Sequence, residues 1–397
     1  MKAIFPYDKE SKNGLIKSRI IEYFINNGNA TNTDIAKEFN LSSPTIARII
    51  NEMCQEGFVL EYGKLETEEG RRPNLFGLNP DSGYFIGVDI NPTFVNIGLI
   101  NIRGDLIDLL KDTSYVHHNS QEALEHLCEI IHNYTINTSV PKEKILNINI
   151  NIGGRINPDT GYSYSVFNFS EASLSSMLTE KLGYQVTIEN DTRAMAFGEY
   201  MEGCVKGEKN ILFINVSWGL GAGIIIDGSL YKGKSGYAGE IGHNFFTNNE
   251  IICHCGKKGC LETEVSGSAF VRIVKEKLKN GESSSLTLSE NGDFTLQDVI
   301  TATCNEDTLC IEVVESMGYK LGQAIAGLIN IFNPELVVVG GILSMTGEYF
   351  IHSIKSAILK YSLNLVNKDT KIVLSKLKEK AGVIGSCMIA RKNFLQI

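Results

Sequence analysis

The chain is 397 residues long, enough for two or three domains at about 150 residues each. With 43% hydrophobic and 21% charged residues and 8 prolines, it reads as a globular protein, which excludes disordered, collagen-like and low-complexity classes. Its 37 Lys and Arg against 46 Asp and Glu leave a net charge of −9, which argues against nonspecific coating of nucleic acid but leaves room for a small reading head.

No stretch approaches the roughly 18 apolar residues of a spanning helix, and the segment from Met1 to Glu10 lacks the apolar core of a signal peptide. The expectation is a cytoplasmic protein that does not meet a membrane. Of 9 cysteines, three crowd between Cys253 and Cys260 and the rest are scattered, which points to metal rather than to a disulfide framework.

In chain order, Leu15, Ile16, Ile20, Ile21, Phe24 and Ile25 recur at helical spacing, and Asn27-Gly28-Asn29 supplies the stop. A capping-type cluster at Thr31-Asn32-Thr33 opens a short amphipathic run through Phe39. A further helix, opened by Ser42 or Ser43 with Pro44 in its first turn, puts Ile46, Ile49, Ile50 and Met53 on one face. Two short helices joined by a tight turn make a helix-turn-helix. The outward positions of the second include Ser43, Thr45, Arg48 and Asn51, short polar groups and one guanidinium suited to base edges and phosphates. The segments Phe58–Tyr62 and Leu75–Leu78 can pair as a wing, with Arg71 and Arg72 on its Gly/Pro-restricted turn as a minor-groove probe. Residues 1–80 hold ten Lys and Arg and eleven Asp and Glu, a net of −1, so such contacts must rest on a few placed cations. A winged helix used for dimerisation or peptide binding is the alternative.

Past Asn79–Gly83, a linker by composition, Phe85–Ile90, Val95–Ile100 and Leu106–Leu109 read as strands, followed by a helix near Gln121–Asn133. The plan recurs at Ile211–Val216, Gly223–Ile226 and Asp227–Leu230. Two halves that each begin with three short-turned strands imply a duplicated α/β unit with a ligand-binding cleft between the halves.

Gly239-Glu240-Ile241-Gly242-His243 is followed by Cys253-His254-Cys255 and Gly259-Cys260-Leu261-Glu262. One His and three Cys, namely His243, Cys253, Cys255 and Cys260, form the Cys3His set of a closed, structural zinc site. Four protein ligands leave no open position for a reactive water, so such a zinc shapes a loop. His254 can compete with His243.

On this stretch the chain resembles the ROK family of repressors and sugar kinases, and with the winged helix in front it resembles the repressor branch. The resemblance implies an α/β fold: a winged helix-turn-helix over residues 1–80, then a two-lobed, actin-like and hexokinase-like ROK body, with one lobe over 81–200 and a second over 201–397 whose last helix returns to the first. It also implies a sugar or sugar-phosphate effector held by Asn168, Asn190, Asp191, Glu240, His243 and Glu262, with Asp191 as general base if the protein is a kinase. Carboxylates and amides offer the acceptors and paired donors that adjacent hydroxyls need. Operator DNA and a second copy of the chain, as a homodimer or dimer of dimers, complete the expected partners.

Family kinases carry Asp-x-Gly-Gly-Thr in the first phosphate turn, where this chain has Asp89-Ile90-Asn91-Pro92-Thr93. The second loop, Gly-Thr-Gly in kinases, reads Ser217-Trp218-Gly219 here. Pro92 removes an N–H and Trp218 replaces a small hydroxyl residue, while Gly340-Gly341 is kept. The expectation is a sugar-responsive repressor with a degraded nucleotide site; a ROK sugar kinase with an added DNA-binding domain is the alternative.

Overall fold

A computed structural model describes residues 11–65, 73–286 and 293–396. Contacts within the chain group it into two compact units. One comprises the residues up to Ile150, Phe169–Thr187 and Cys387 onward; the other comprises Asn151–Asn168 and Ile188–Ser386. Among the described residues no helix is long and apolar enough to cross a membrane.

In the first unit, α1 (Lys12–Asn27) starts at Ser11, whose hydroxyl accepts the Gly14 N–H at 3.0 Å. After the two-residue strand β1 (Ala30–Thr31), α2 (Asn32–Phe39) is capped reciprocally: Asp34 N–H donates to Thr31 Oγ1, and Thr31 N–H donates back to the Asp34 carboxylate at 3.0 Å. A left-handed Asn40 ends it. Ser42 caps α3 (Ser43–Gln55), and Pro44 lies in its first turn, where a missing N–H costs nothing. Ile20, Ile35, Ile46, Ile49, Ile50 and Met53 are wholly buried, so the three helices share one apolar core. β2 (Val59–Lys64) and β3 (Asn74–Leu78) pair antiparallel, and β1 adds to the far edge of β3. The expected linker is tied down: Asn79 Nδ2 donates to the Gly57 carbonyl at 2.7 Å, and Lys144 Nζ donates to the Asp81 carbonyl at 2.8 Å.

The body begins with β4 (Tyr84–Ile90), β5 (Phe94–Asn101) and β6 (Leu106–Ser114), an antiparallel meander. Then come α4 (Gln121–Asn137), β7 (Ile145–Ile152), a small hairpin of β8 (Ile156–Asn157) and β9 (Tyr162–Ser163), α5 (Leu174–Leu182), β10 (Val186–Asn190) and α6 (Asp191–Glu202). The sheet order is β6-β5-β4-β7-β10.

The second set of strands is β11 (Ile211–Val216), β12 (Leu220–Ile226) and β13 (Ser229–Leu230). α7 (Gly267–Lys279), α8 (Leu296–Cys304), α9 (Thr308–Phe332), β14 (Leu336–Gly340), α10 (Glu348–Tyr361), α11 (Asn364–Asp369), β15 (Lys371–Leu374) and α12 (Ala381–Leu395) follow. This sheet runs β13-β12-β11-β14-β15, the same third-second-first-fourth-fifth order as the other. The duplication read from the strand pattern is therefore a duplication of topology. In β11 and β14, Leu212, Ile214, Val216, Val337 and Val339 join Phe270, Leu321 and Phe350 in one core. Their alternates Ile211, Phe213, Leu336 and Val338 pack on the α6 side with Ala196, the period of two that a sheet covered on both faces requires.

Candidate functional site

The turn from β10 into α6 places the first group of polar side chains. Asn190 caps α6, its Oδ1 accepting the Arg193 N–H at 3.1 Å, while its Nδ2 donates to the Gly154 carbonyl and to Asp191 Oδ1, both at 3.0 Å. Asp191 Oδ1 also accepts the Thr192 N–H at 2.7 Å, and its other oxygen faces Gly153. Burial raises the Asp191 pKa above that of an ordinary carboxylate, against the lowering pull of the Thr192 N–H and Arg193. Arg193, almost wholly buried, locks this turn: it pairs with Glu189 at 2.6 Å and donates to the carbonyls of Gly236 and Ile156 at 2.5 and 3.2 Å. Sequence reasoning missed the Glu189–Arg193 pair as scaffold. Its signal was opposite charges four residues apart, straddling Asn190-Asp191.

A second group hangs on β12. Gly239 accepts the Ala222 N–H at 2.8 Å and has φ 97°; a Cβ there would lie 1.9 Å from the Ala222 carbonyl oxygen, so only glycine lets the chain approach so closely. The 3₁₀ turn Ile241–His243 then holds Glu240 and His243 together, with His243 Nε2 3.7 Å from a Glu240 carboxylate oxygen. Burial raises the Glu240 pKa, His243 and Arg193 draw it back, and the Asp191 charge adds to the rise. Asp191 and His243 are thus each in electrostatic reach of Glu240, three partly buried groups able to accept from and donate to neighbouring hydroxyls.

His243 turns its other nitrogen toward sulfur. Nδ1 lies 3.6 Å from Cys253 Sγ, and Cys255 and Cys260 Sγ are 3.6 Å apart. Ligand atoms of His243, Cys253, Cys255 and Cys260 all fall within 4.8 Å of one another. The bridges Phe245↔Cys260 and Ile252↔Lys258 fold the loop so that cysteines five and seven residues apart converge. Burial pushes the Cys253 thiol up; at Cys255 burial acts the same way, but the Lys257 N–H and the neighbouring thiols bring it below the ordinary value. A soft donor set of three sulfurs and one imidazole at this spacing fits a tetrahedral cation. His243, His254 and Glu262 form an overlapping second set.

The two remaining expected sugar ligands have protein partners of their own. Glu262 is buried, one oxygen accepting the Leu220 N–H at 2.9 Å and the other 2.8 Å from His254 Nδ1. Asn168 is exposed, and its amide donates to the Tyr164 carbonyl at 3.3 Å.

The two phosphate turns differ from empty cradles. In the second, Ser217 N–H donates to the Gly219 carbonyl at 3.0 Å, the Leu220 N–H is held by Glu262, and Trp218 is 56% exposed. In the first, the Asn91 N–H donates to the Phe94 carbonyl at 2.9 Å and the Asn91 amide to the Asp89 carboxylate at 3.2 Å. A phosphate cradle uses free backbone N–H groups, and those of Asn91, Ser217 and Leu220 are already paired, with carboxylates beside two of them.

On the nucleic-acid side, Ser43, Arg48 and Asn51 are exposed on α3, and Thr45 is half-buried against the Ser42 hydroxyl at 2.8 Å. Arg48 pairs with Glu52 one turn on, and Glu52 and Glu56 also reach Lys17 at 3.4 and 2.6 Å. Arg71 and Arg72 lie outside the described residues.

Comparison with known proteins agrees with this layout. Residues 15–59 match the model for winged helix-turn-helix DNA-binding domains, and residues 85–393 match the ROK family model. The chain is 31% identical over 372 residues to the xylose repressor of Caldicellulosiruptor bescii, covering 93% of each. It is 30% identical over 314 residues to the glucokinase of Halalkalibacterium halodurans, covering 78% of this chain and 95% of that enzyme. A solved ROK family transcriptional regulator, homologous to the Escherichia coli Mlc protein, superposes with a TM-score of 0.81 at 27% identity over 96% of this chain and 97% of that one. The kinase likeness covers 78% of this chain against 93% for the repressor and 96% for the regulator, and on all of these grounds the chain belongs to the ROK family.

Proposed function

We propose that this protein is a sugar-responsive transcriptional repressor, reading operator DNA through α3 and the wing and sensing a sugar at Asn190, Asp191, Glu240 and His243, with Asn168 and Glu262 completing the set. The observation that supports this reading is the contrast within one chain: carboxylates suited to hydroxyls are only partly buried, while the Asn91, Ser217 and Leu220 N–H groups of the two turns are already paired. DNA contacts are assigned to Ser43, Thr45, Arg48, Asn51, Arg71 and Arg72; Arg48 would exchange Glu52 for a phosphate. Two copies of the chain would place two recognition helices on half-sites about one helical turn apart, in the cytoplasm where the operator is.

His243, Cys253, Cys255 and Cys260 would hold one zinc ion per chain in a closed site that fixes the loop. His243 then has a defined task. With Nδ1 engaged on the sulfur side, Nε2 stays turned toward Glu240, so order in the metal loop sets the donor that meets the sugar. A sugar changes operator affinity only by binding one conformation of the protein better than another.

The raised pKa of Asp191 would suit a general base, which is the observation favouring the second reading, a ROK sugar kinase with an added DNA-binding domain. Operator footprinting with and without a panel of sugars, xylose first because of the relatives' name, tests the first reading; no protected site under any condition would overturn it. Turnover of ATP with any hexose would promote the second.

A further inference from the structure

The hydroxyl-binding group has an aromatic border that neither the metal loop nor the winged helix explains. Directly after the β8–β9 hairpin, Tyr164 is held by its backbone: its N–H donates to the Arg155 carbonyl at 2.9 Å and its carbonyl accepts the Asn168 amide at 3.3 Å. Its ring is 48% exposed and meets Tyr237, 37% exposed, edge to face with centroids 5.9 Å apart. Tyr162 stands on the other side at 6.3 Å. Tyr237 is rooted as firmly. The preceding Gly236 carbonyl accepts from Arg193, and its backbone runs so close to Ile156 that a Cβ would lie 2.5 Å from that carbonyl oxygen. Glu240 follows three residues later. Arg155, exposed and anchored through its own N–H to Ser165 Oγ at 3.0 Å, lies within electrostatic reach of both Glu240 and Tyr237.

What marks Tyr164 and Tyr237 is that two rigidly seated rings touch edge to face and stay partly exposed beside Glu240, a surface that one pyranose, satisfied by carboxylates, amide and imidazole, does not use. Aromatic rings with a polar rim instead match a second sugar ring, whose C–H face lies on the ring while its edge hydroxyls meet the phenol and guanidinium groups. We propose that the effector is a disaccharide or longer oligosaccharide, its first ring on Asp191 and Glu240 and its second against Tyr164 and Tyr237 with Arg155 at its edge. This rests on the sugar-sensing reading above. A sugar phosphate is the less fitting occupant: Arg193 is buried against Glu189, and the carboxylates of Asp191 and Glu240 repel an anion, with the exposed Arg155 set against them.

The test uses the full chain bound to labelled operator and matched probes: xylose with xylobiose, glucose with cellobiose, N-acetylglucosamine with chitobiose, and glucose 6-phosphate. At least one disaccharide should shift operator affinity at a concentration about tenfold or more below that of its monosaccharide. Tyr164→Ala with Tyr237→Ala should close that gap, and Tyr→Phe at both positions should keep most of it; operator binding without sugar reports that each variant folds. Monosaccharides that act as well as their disaccharides, a gap that survives the alanines, or a sugar phosphate that acts best and loses its advantage in Arg155→Gln each overturn the inference. If monosaccharides act and Asp191→Asn abolishes their effect while the tyrosines are silent, this inference alone falls. A protein that answers no sugar of either size overturns it together with the reading beneath it.

Discussion

The Asp191–Glu240–His243 group and the Ser217–Gly223 turn are built from the same materials, carboxylates and backbone N–H groups, and differ in what those groups face. Around Asp191, internal bonds are made by Asn190, Thr192 and Arg193, which leaves Asp191 and Glu240 only partly buried and their pKa values raised. At the turn, the Leu220 N–H is held by Glu262, and the Ser217 and Trp218 carbonyls accept from Gly267 and Ser268 at 2.7 and 3.1 Å. On the repressor reading, donors satisfied internally would remove a binding function without changing the fold around them.

The largest test of this contrast is the metal loop. Cys255→Ser should take the zinc content from near one per chain toward zero and weaken the sugar response about 100-fold, because the zinc that would hold His243 Nδ1 and so aim Nε2 at Glu240 is lost. Metal analysis beside operator titration reads both; an intact sugar response without metal would uncouple the loop from the site.

Asp191→Asn keeps shape but removes a charged acceptor worth about 1.5–3 kcal/mol, so the sugar concentration for half-release should rise about 10- to 150-fold with sugar-free operator affinity intact. Identical curves would expel Asp191 from the site. The wild-type response should also weaken as pH falls. Ionised Asp191 is the acceptor, and since burial raises its pKa, the loss should begin at a higher pH than an ordinary carboxylate near 4 would give.

Smaller still, Arg71→Ala with Arg72→Ala should weaken operator binding and lower the salt slope by about 2, while leaving the sugar concentration for half-release where it was. A change in sugar response would show that the wing and the sensing site are not separable. Smallest is the expected effect of ATP. With magnesium it should give no thermal shift and turnover far below about 1 per second, against about 2.7 kcal/mol of stabilisation by a true ligand at 100 times its Kd. A clear shift would show that the paired N–H groups of Ser217 and Leu220 open on demand.

Much of this protein could be read from local sequence, because local rules governed it. Helical spacing and the Ser42–Pro44 start placed α3, and its outward face carries Ser43, Arg48 and Asn51 as expected. Strand alternation placed β4, β5, β11 and β12 within about three residues at their ends, and the repeated strand plan was visible as such. The two-residue β1 escaped, since pairing with β3 rather than any local pattern makes it a strand. The Cys253-x-Cys255 and Cys260 spacing with His243 was legible as a donor set because chemistry restricts three cysteines so tightly.

What the sequence by itself determined, then, is the winged helix, the duplicated α/β plan, the donor types of the metal set and the replacement of glycines in the phosphate turns. Tertiary structure alone decided which groups those donors meet. It turned Glu262 onto Leu220 and His254, buried Arg193 against Glu189 beneath the Asp191 turn, and set Tyr164 against Tyr237 beside Asn168. The reason is physical: spacing along a chain fixes helix faces and strand faces, whereas a hydrogen bond between residues 42 positions apart or a ring contact between residues 73 apart depends on where folding brings them.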